Sequence, residues 1–118
     1  MFRHLFHVAL LTLLLGAGAL AEENIGELLL QADEAVKAGQ SKQAVDLLTK
    51  AIAIRPNLAS AYYTRGRERF RLGQLEKSVA DFDRHVALAP DQESRQWERG
   101  IAYYYVGKFK QGAAQFEL

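Results

Sequence analysis

Glycine and proline recur in this sequence at a fixed interval of 34 residues. Gly39, Gly73 and Gly107 form one series at that spacing, and Pro56 and Pro90 form a second. Glycine ends helices because it adopts a left-handed backbone at low steric cost, and proline ends them because it lacks the amide donor that a continuing helix requires. A repeat with two helix-ending signals per unit predicts a stack of helical hairpins, each burying its apolar face against the next.

The middle unit shows the pattern of one hairpin most clearly. Residues 59–72 contain no proline, and Tyr62, Gly66 and Phe70 follow helical spacing. Residues 75–88 form a second apolar helix that runs up to the next proline. The same register predicts repeats at about residues 25–58, 59–92 and 93–118, with the last one incomplete.

This pattern resembles the tetratricopeptide repeat (TPR) family over residues 24–118. The family's small residue at the helix crossing falls on Ala32, Gly66 and Gly100, and its large apolar residue in the second helix falls on Leu48, Phe82 and Phe116. The resemblance implies an all-α fold, a TPR-type α-solenoid of antiparallel helix pairs with about three repeats of 34 residues.

Three polar residues depart from the family pattern. The place that usually holds leucine, just before the small residue, is occupied by Gln31, Arg65 and Arg99. A buried arginine requires a charged or hydrogen-bonding partner. We expect Asp81 or Asp83, from the second helix of the hairpin, to supply one for Arg65.

Residues 1–21 differ in composition from the rest of the chain. They contain no acidic side chain, begin with the basic Arg3, continue with an apolar run at 5–15, and end with Ala19 and Ala21 in an A-x-A arrangement. This layout predicts a signal peptide cleaved after Ala21, and an extracytoplasmic protein, periplasmic or secreted, with no stable membrane span after cleavage. The alternative is an uncleaved anchor, but the apolar run is shorter than the roughly 20 residues that span a bilayer.

Composition argues against several functional classes. The 15 basic and 14 acidic side chains nearly balance, so the chain lacks the basic surface of a nucleic-acid-binding protein. The absence of cysteine excludes disulfides, thiolate zinc sites and iron–sulfur clusters. His85 is the one histidine outside the predicted leader, and we interpret it as packing between helices. No nucleophile-elbow or Walker motif is present, so we expect no enzyme activity, catalytic residue, metal or cofactor.

The TPR resemblance implies that the first helix of each unit lines a concave groove. The groove-facing places are Leu29, Asp33, Val36 and Lys37 in the first unit, Tyr63, Arg67, Phe70 and Arg71 in the second, and Trp97, Ile101, Tyr104 and Tyr105 in the third. Aromatic and arginine side chains dominate binding hot spots. The alternative is that some of these aromatics pack between units.

The predicted function is that of an exported protein–protein interaction scaffold, which binds a peptide or partner protein in this groove. The carboxylate clamp of some TPR proteins is absent, because its places hold Leu29, Asp33, Thr64, Ser94 and Glu98. The incomplete last repeat leaves two further possibilities open. The chain can be the N-terminal recognition region of a longer exported enzyme or assembly factor whose activity lies beyond Leu118, or it can self-associate through the open last repeat.

Overall fold

The computed structural model describes residues 24–118, so the predicted leader with Ala19 and Ala21 lies outside the described residues. The helices, in chain order, are α1 (which includes 24–37), α2 (Ser41–Ile54), α3 (Ala59–Arg71), α4 (Leu75–Leu88), α5 (Trp97–Tyr105) and α6 (Phe109–Phe116). Short turns join them into hairpins, with α3 packed on α4 and α5 on α6. Successive hairpins stack through contacts of α2 with α3 and of α4 with α5. The described part of the chain contains no strand, and the predicted all-α stack of helix pairs is confirmed.

The recurring glycines end the first helix of each hairpin in a left-handed conformation. Gly73 has a φ of 75°, and the glycines one repeat before and after it have φ values of 73° and 81°. Gly73 N–H donates to the Phe70 carbonyl at 3.0 Å, and Gln74 N–H donates to the Arg69 carbonyl at 2.9 Å. This pair of hydrogen bonds is the Schellman motif, in which a residue with positive φ satisfies the last carbonyls of a helix. The glycines that recur every 34 residues in the sequence therefore mark a helix-ending backbone conformation that is repeated in each hairpin.

The small residues at the helix crossings allow close approach of a large ring. A Cβ atom placed on Gly66 would lie 3.0 Å from Phe82 Cε1, and one placed on Gly100 would lie 2.8 Å from Phe116 Cε2. Ser78 is buried at the same crossing as Gly66, and its hydroxyl donates to the Gly66 carbonyl at 2.7 Å. The second and third hairpins are thus each closed by an aromatic ring lying on a glycine.

The core is divided between the two interfaces of the stack. One buried cluster joins the first and second hairpins, and another joins the second and third. The first comprises Ala32, Leu48, Ile52, Ala61 and Tyr62, and the second comprises Val79, Phe82, Ala102 and Tyr103.

The polar departures from the family pattern are paired in the structure. Arg65 donates to both carboxylate oxygens of Asp81, from Nε at 2.9 Å and from Nη2 at 2.7 Å, and Arg69 Nη1 donates to the same carboxylate at 2.9 Å. Arg99 Nε donates to Asp83 at 2.9 Å. The expectation of a carboxylate partner for Arg65 is confirmed, and Asp83 serves the arginine at the equivalent place in the next repeat.

The third unit begins differently from the repeat register. Its first α-helix starts at Trp97 instead of Glu93, and Pro90–Arg95 form a 3-10 helix. The Glu93 carbonyl accepts the Gln96 N–H at 3.1 Å, three residues on, and also accepts the Gln115 side-chain amide at 2.6 Å. These bonds tie the segment to α6 and replace the i to i+4 bond with which an α-helix would begin there.

Candidate functional site

An open pocket of about 150 Å³ lies between α3 and α5. We call it the α3–α5 pocket. Residues predicted to face a groove form most of its wall, together with two that the sequence did not single out for binding. The wall consists of Arg67, Phe70, Arg71, Phe82, Trp97, Glu98 and Ile101. The structure therefore brings together groove residues from two successive repeats.

The pocket has an apolar floor and an exposed rim. Phe82 is buried, and Phe70 and Ile101 are half-buried. The Trp97 side chain, at the edge, is 57% exposed, although its large apolar area would normally favour burial. Exposed aromatic surface beside an apolar hollow is the arrangement found at the centres of protein interfaces.

Glu98 connects the pocket to the inter-repeat interface. Its Oε1 accepts the Tyr63 hydroxyl at 2.8 Å and lies 3.9 Å from Arg67 Nε. Its Oε2 is buried and has no hydrogen-bond partner among the described residues. A buried carboxylate oxygen without a donor is destabilising, so Glu98 is held at some cost in stability.

Glu68 lies on the opposite side of α3 from the solvent and is 1% exposed. Its Oε2 accepts the Ser41 hydroxyl at 2.6 Å, which ties α3 to the start of α2. Its Oε1 lies 3.5 Å from Arg71 Nη1. Arg67 and Arg71 lie at the exposed rim of the pocket. Each therefore lies close to a carboxylate that is itself largely buried.

Tyr63 belongs to the interface between repeats rather than to the open pocket. Its hydroxyl donates to Glu98 of the third repeat at 2.8 Å, and its ring lies against Phe82 and His85 of its own hairpin, at 6.1 Å and 5.3 Å between centroids. Burial, and the hydrogen bond to Glu98, raise the pKa of the Tyr63 hydroxyl above its ordinary value. Tyr63 therefore packs between units, which is the alternative that the sequence left open for the groove aromatics.

His85 packs between helices, as the sequence indicates. It is buried, and its Nδ1 lies 2.9 Å from the Ala59 carbonyl oxygen at the start of α3. Among residues 24–118, no three histidine, aspartate or glutamate side chains are grouped so that they could hold a metal ion.

Tyr104 and Tyr105 face the end of the stack. Both are 62% exposed. They line a second, wider apolar hollow of about 530 Å³ on α5 and α6, which also includes Phe109 and Phe116. Tyr105 remains close to the first pocket through an edge-to-face contact with Phe70, at 5.5 Å between ring centroids. Self-association through this end face stays a prediction.

The first unit contributes a more polar surface. A hollow of about 160 Å³ between α1 and α3 is lined by Leu29, Asp33, Ser60 and Thr64, among others. Asp33 is ion-paired with Lys37 on the surface of α1 at 2.8 Å. The aromatic and cationic character of the predicted groove is thus concentrated at the junction of the second and third repeats.

The sequence does not indicate which residues the two acids beside the pocket, Glu68 and Glu98, contact. Glu68 meets Ser41, which is 27 residues away, and Glu98 meets Tyr63, which is 35 residues away. The repeat register assigns these acids to first helices, but it does not identify partners in a neighbouring repeat. Tyr103 is similar, because its hydroxyl donates to Asp83 of the preceding hairpin, and burial raises the pKa of that hydroxyl.

The described architecture, helix pairs stacked in chain order with aromatic rings on small residues, is that of an α-solenoid. Residues 59–92 match the family model described as tetratricopeptide repeat, and the fold is a TPR-type α-solenoid. Within residues 24–118, none of the helices has the length and apolar character needed to cross a membrane. Comparison with curated protein sequences gives no significant match.

Several solved structures share the fold. A crystal structure of MamA superposes with a TM-score of 0.76 at 21% identity, covering 80% of this chain and 55% of that one. MamA from Desulfovibrio magneticus RS-1 gives a TM-score of 0.70 at 26% identity, covering 76% of this chain and 51% of that one. The chain therefore spans about half the length of these MamA chains. The first TPR of Spaghetti (RPAP3), solved bound to the HSP90 peptide SRMEEVD, gives a TM-score of 0.70 at 22% identity, covering 80% of this chain and 77% of that one.

Proposed function

We propose that this chain is a protein-interaction module that binds a peptide segment of a partner protein at the α3–α5 pocket. The observation that carries the proposal is the open apolar pocket, in which Trp97 is 57% exposed beside two half-exposed arginines. The TPR fold supports it, since a structural neighbour was solved with a peptide bound. An extended or helical segment that places one side chain in the pocket fits this geometry.

The Trp97→Ala variant tests the proposal. Random peptides displayed on phage are selected against the full chain, and the affinity of an enriched peptide is measured by fluorescence anisotropy. We expect Trp97→Ala to weaken that peptide by about 30-fold or more, because a buried aromatic anchor contributes about 2 kcal/mol or more. Trp97 is largely exposed in the free protein, so far-UV circular dichroism should show unchanged helicity.

Ile54→Ala supplies the matched control. Ile54 is also a large apolar residue with an exposed side chain, but it lies at the end of α2, away from the pocket. This variant should bind the selected peptide as the parent chain does. If Trp97→Ala and Ile54→Ala bind equally well, the pocket is not the binding site.

We also propose that the module acts outside the cytoplasm. The support is the leader pattern of residues 1–21, with its apolar run and the A-x-A arrangement of Ala19 and Ala21. Expression of the full chain in a bacterial host should give a periplasmic product whose mass corresponds to a start at Glu22. Ala19→Arg, which places a long charged side chain at the cleavage site, should leave the precursor uncut. A full-length product in the cytoplasm would contradict export.

A second proposal is that the chain is the recognition region of a longer exported enzyme or assembly factor. The observation that favours it is the apolar end face, where Phe116 is 59% exposed whereas Phe82, at the equivalent place one repeat earlier, is 1% exposed. An in-frame continuation of the gene past Leu118 would support this proposal, and a stop codon there would contradict it.

A further inference from the structure

The two arginines at the rim of the α3–α5 pocket are held more loosely than Arg65, Arg69 and Arg99. Arg67 and Arg71 are four residues apart on α3, and so lie on one face of the helix. Their closest carboxylate contacts measure 3.9 Å and 3.5 Å. The corresponding distances are 2.7 Å for Arg65 with Asp81 and 2.9 Å for Arg99 with Asp83.

The rim presents positive charge to a bound molecule. The Arg67 and Arg71 side chains are 44% and 51% exposed, whereas those of their partners Glu98 and Glu68 are only 17% and 2% exposed. The acids therefore lie behind the guanidinium groups. Arg67 also lies over the Tyr63 ring, at 5.6 Å from its centroid. A guanidinium group has five N–H donors, so this stacking and one long carboxylate contact leave most of them available to a carboxylate from outside.

The apolar floor limits what can sit beside these cations. The pocket has a volume of about 150 Å³. An engineered protein cavity of about that size, lined by Leu, Ile and Phe, accepts benzene. The floor of Phe70, Phe82 and Ile101 can therefore take one side chain of roughly the size of a phenyl ring, with Trp97 packing against it at the rim.

We propose that the partner segment is acidic, with one bulky apolar side chain in the pocket and an adjacent aspartate or glutamate bound by Arg67 and Arg71. This inference rests on the proposed function and specifies the ligand of the same pocket. Charge-assisted bonds from arginine to carboxylate are shorter and stronger than neutral ones, and the exposed rim should make the affinity fall as salt concentration rises. The site differs from the carboxylate clamp of some TPR proteins. The basic and amide residues of that clamp are replaced in this chain, and neither Arg67 nor Arg71 lies at one of its places.

The test compares peptide preference in the full chain and in Arg67→Gln/Arg71→Gln. Glutamine removes both charges without placing new acids next to Glu68 and Glu98. Phage-displayed random peptides selected on the parent chain should carry Asp or Glu within two residues of a Leu, Met or Phe. The double variant should bind an enriched synthetic peptide about tenfold or more weakly, since it loses the charge-assisted hydrogen bonds to the carboxylate of the peptide. Arg84→Gln, a change of the same kind at an exposed arginine on α4, should have no effect.

The outcomes separate this inference from the function on which it rests. Enriched peptides that are basic or uncharged, yet lose affinity in Trp97→Ala, would overturn the acidic ligand and leave the pocket as a binding site. An acidic peptide that binds Arg67→Gln/Arg71→Gln and the parent chain equally would also overturn it. Selection that yields no peptide, or only peptides insensitive to Trp97→Ala, would overturn both proposals. Far-UV circular dichroism of the double variant must match that of the parent chain before its affinity is compared.

Discussion

Replacing Asp81 with asparagine should lower the free energy of unfolding by about 3 to 5 kcal/mol, the loss that follows removal of one partner from a buried ion pair. The Asp81 side chain is 4% exposed and is shared by two arginines, Arg65 and Arg69, whose side chains are 11% and 16% exposed. Asparagine keeps the shape but loses the charge, so two guanidinium groups remain close together without a counter-ion. Typical domains have a total stability of about 5 to 15 kcal/mol, so this one change should remove a large share.

Urea denaturation followed by circular dichroism measures this loss, and Asp33→Asn provides the control. Asp33 is also paired with a cation, Lys37, at 2.8 Å, but the two side chains are 57% and 74% exposed. Surface pairs four residues apart on a helix contribute little to stability, because water and salt screen the two charges. If the two variants unfold at the same urea concentration, the buried ion pair of Asp81 stabilises the stack no more than the exposed ion pair of Asp33 does.

The regular part of the fold can be predicted from the sequence because each signal acts locally and recurs. A glycine with positive φ ends the first helix of every hairpin, and Gly66 and Gly100 mark where a ring must lie on the backbone. The 3-10 segment at Pro90–Arg95 could not be predicted in this way. It is tied to α6 by the Gln115 side chain, which reaches the Glu93 carbonyl from 22 residues away.

The site is only partly predictable, for a similar reason. Arg67, Phe70 and Arg71 lie together because helical spacing places them on one face of α3, and the register brings Trp97 and Ile101 alongside them. Whether these residues bind a partner stays a prediction. The register cannot reveal how tightly each arginine is paired, since this depends on distances to acids in neighbouring turns and repeats. The contrast between the loosely held rim and the buried Arg65 pair emerges only from the structure.

Replacing Phe82 with alanine should lower the free energy of unfolding by about 3 to 5 kcal/mol, as expected when a buried aromatic side chain is removed from a core. Phe82 is 1% exposed and lies on Gly66, which has no side chain that could fill the space left behind. The ring also contacts Tyr63 within the same hairpin, at 6.1 Å between centroids, and belongs to the buried cluster that joins the second and third hairpins. The change should therefore weaken the second hairpin and its junction with the third together.

Phe116→Ala is the matched comparison, because Phe116 lies on Gly100 in the same way one repeat later but is 59% exposed. Its loss should lower the free energy of unfolding by roughly 1 kcal/mol or less, since most of the ring is already in contact with water. Urea denaturation of both variants at several protein concentrations distinguishes two situations. Unequal losses that do not depend on concentration would show that the end face is exposed in solution, as described. Equal losses, with a stability of the parent chain that rises with concentration, would show that Phe116 is covered by a second copy, as self-association through the last repeat requires.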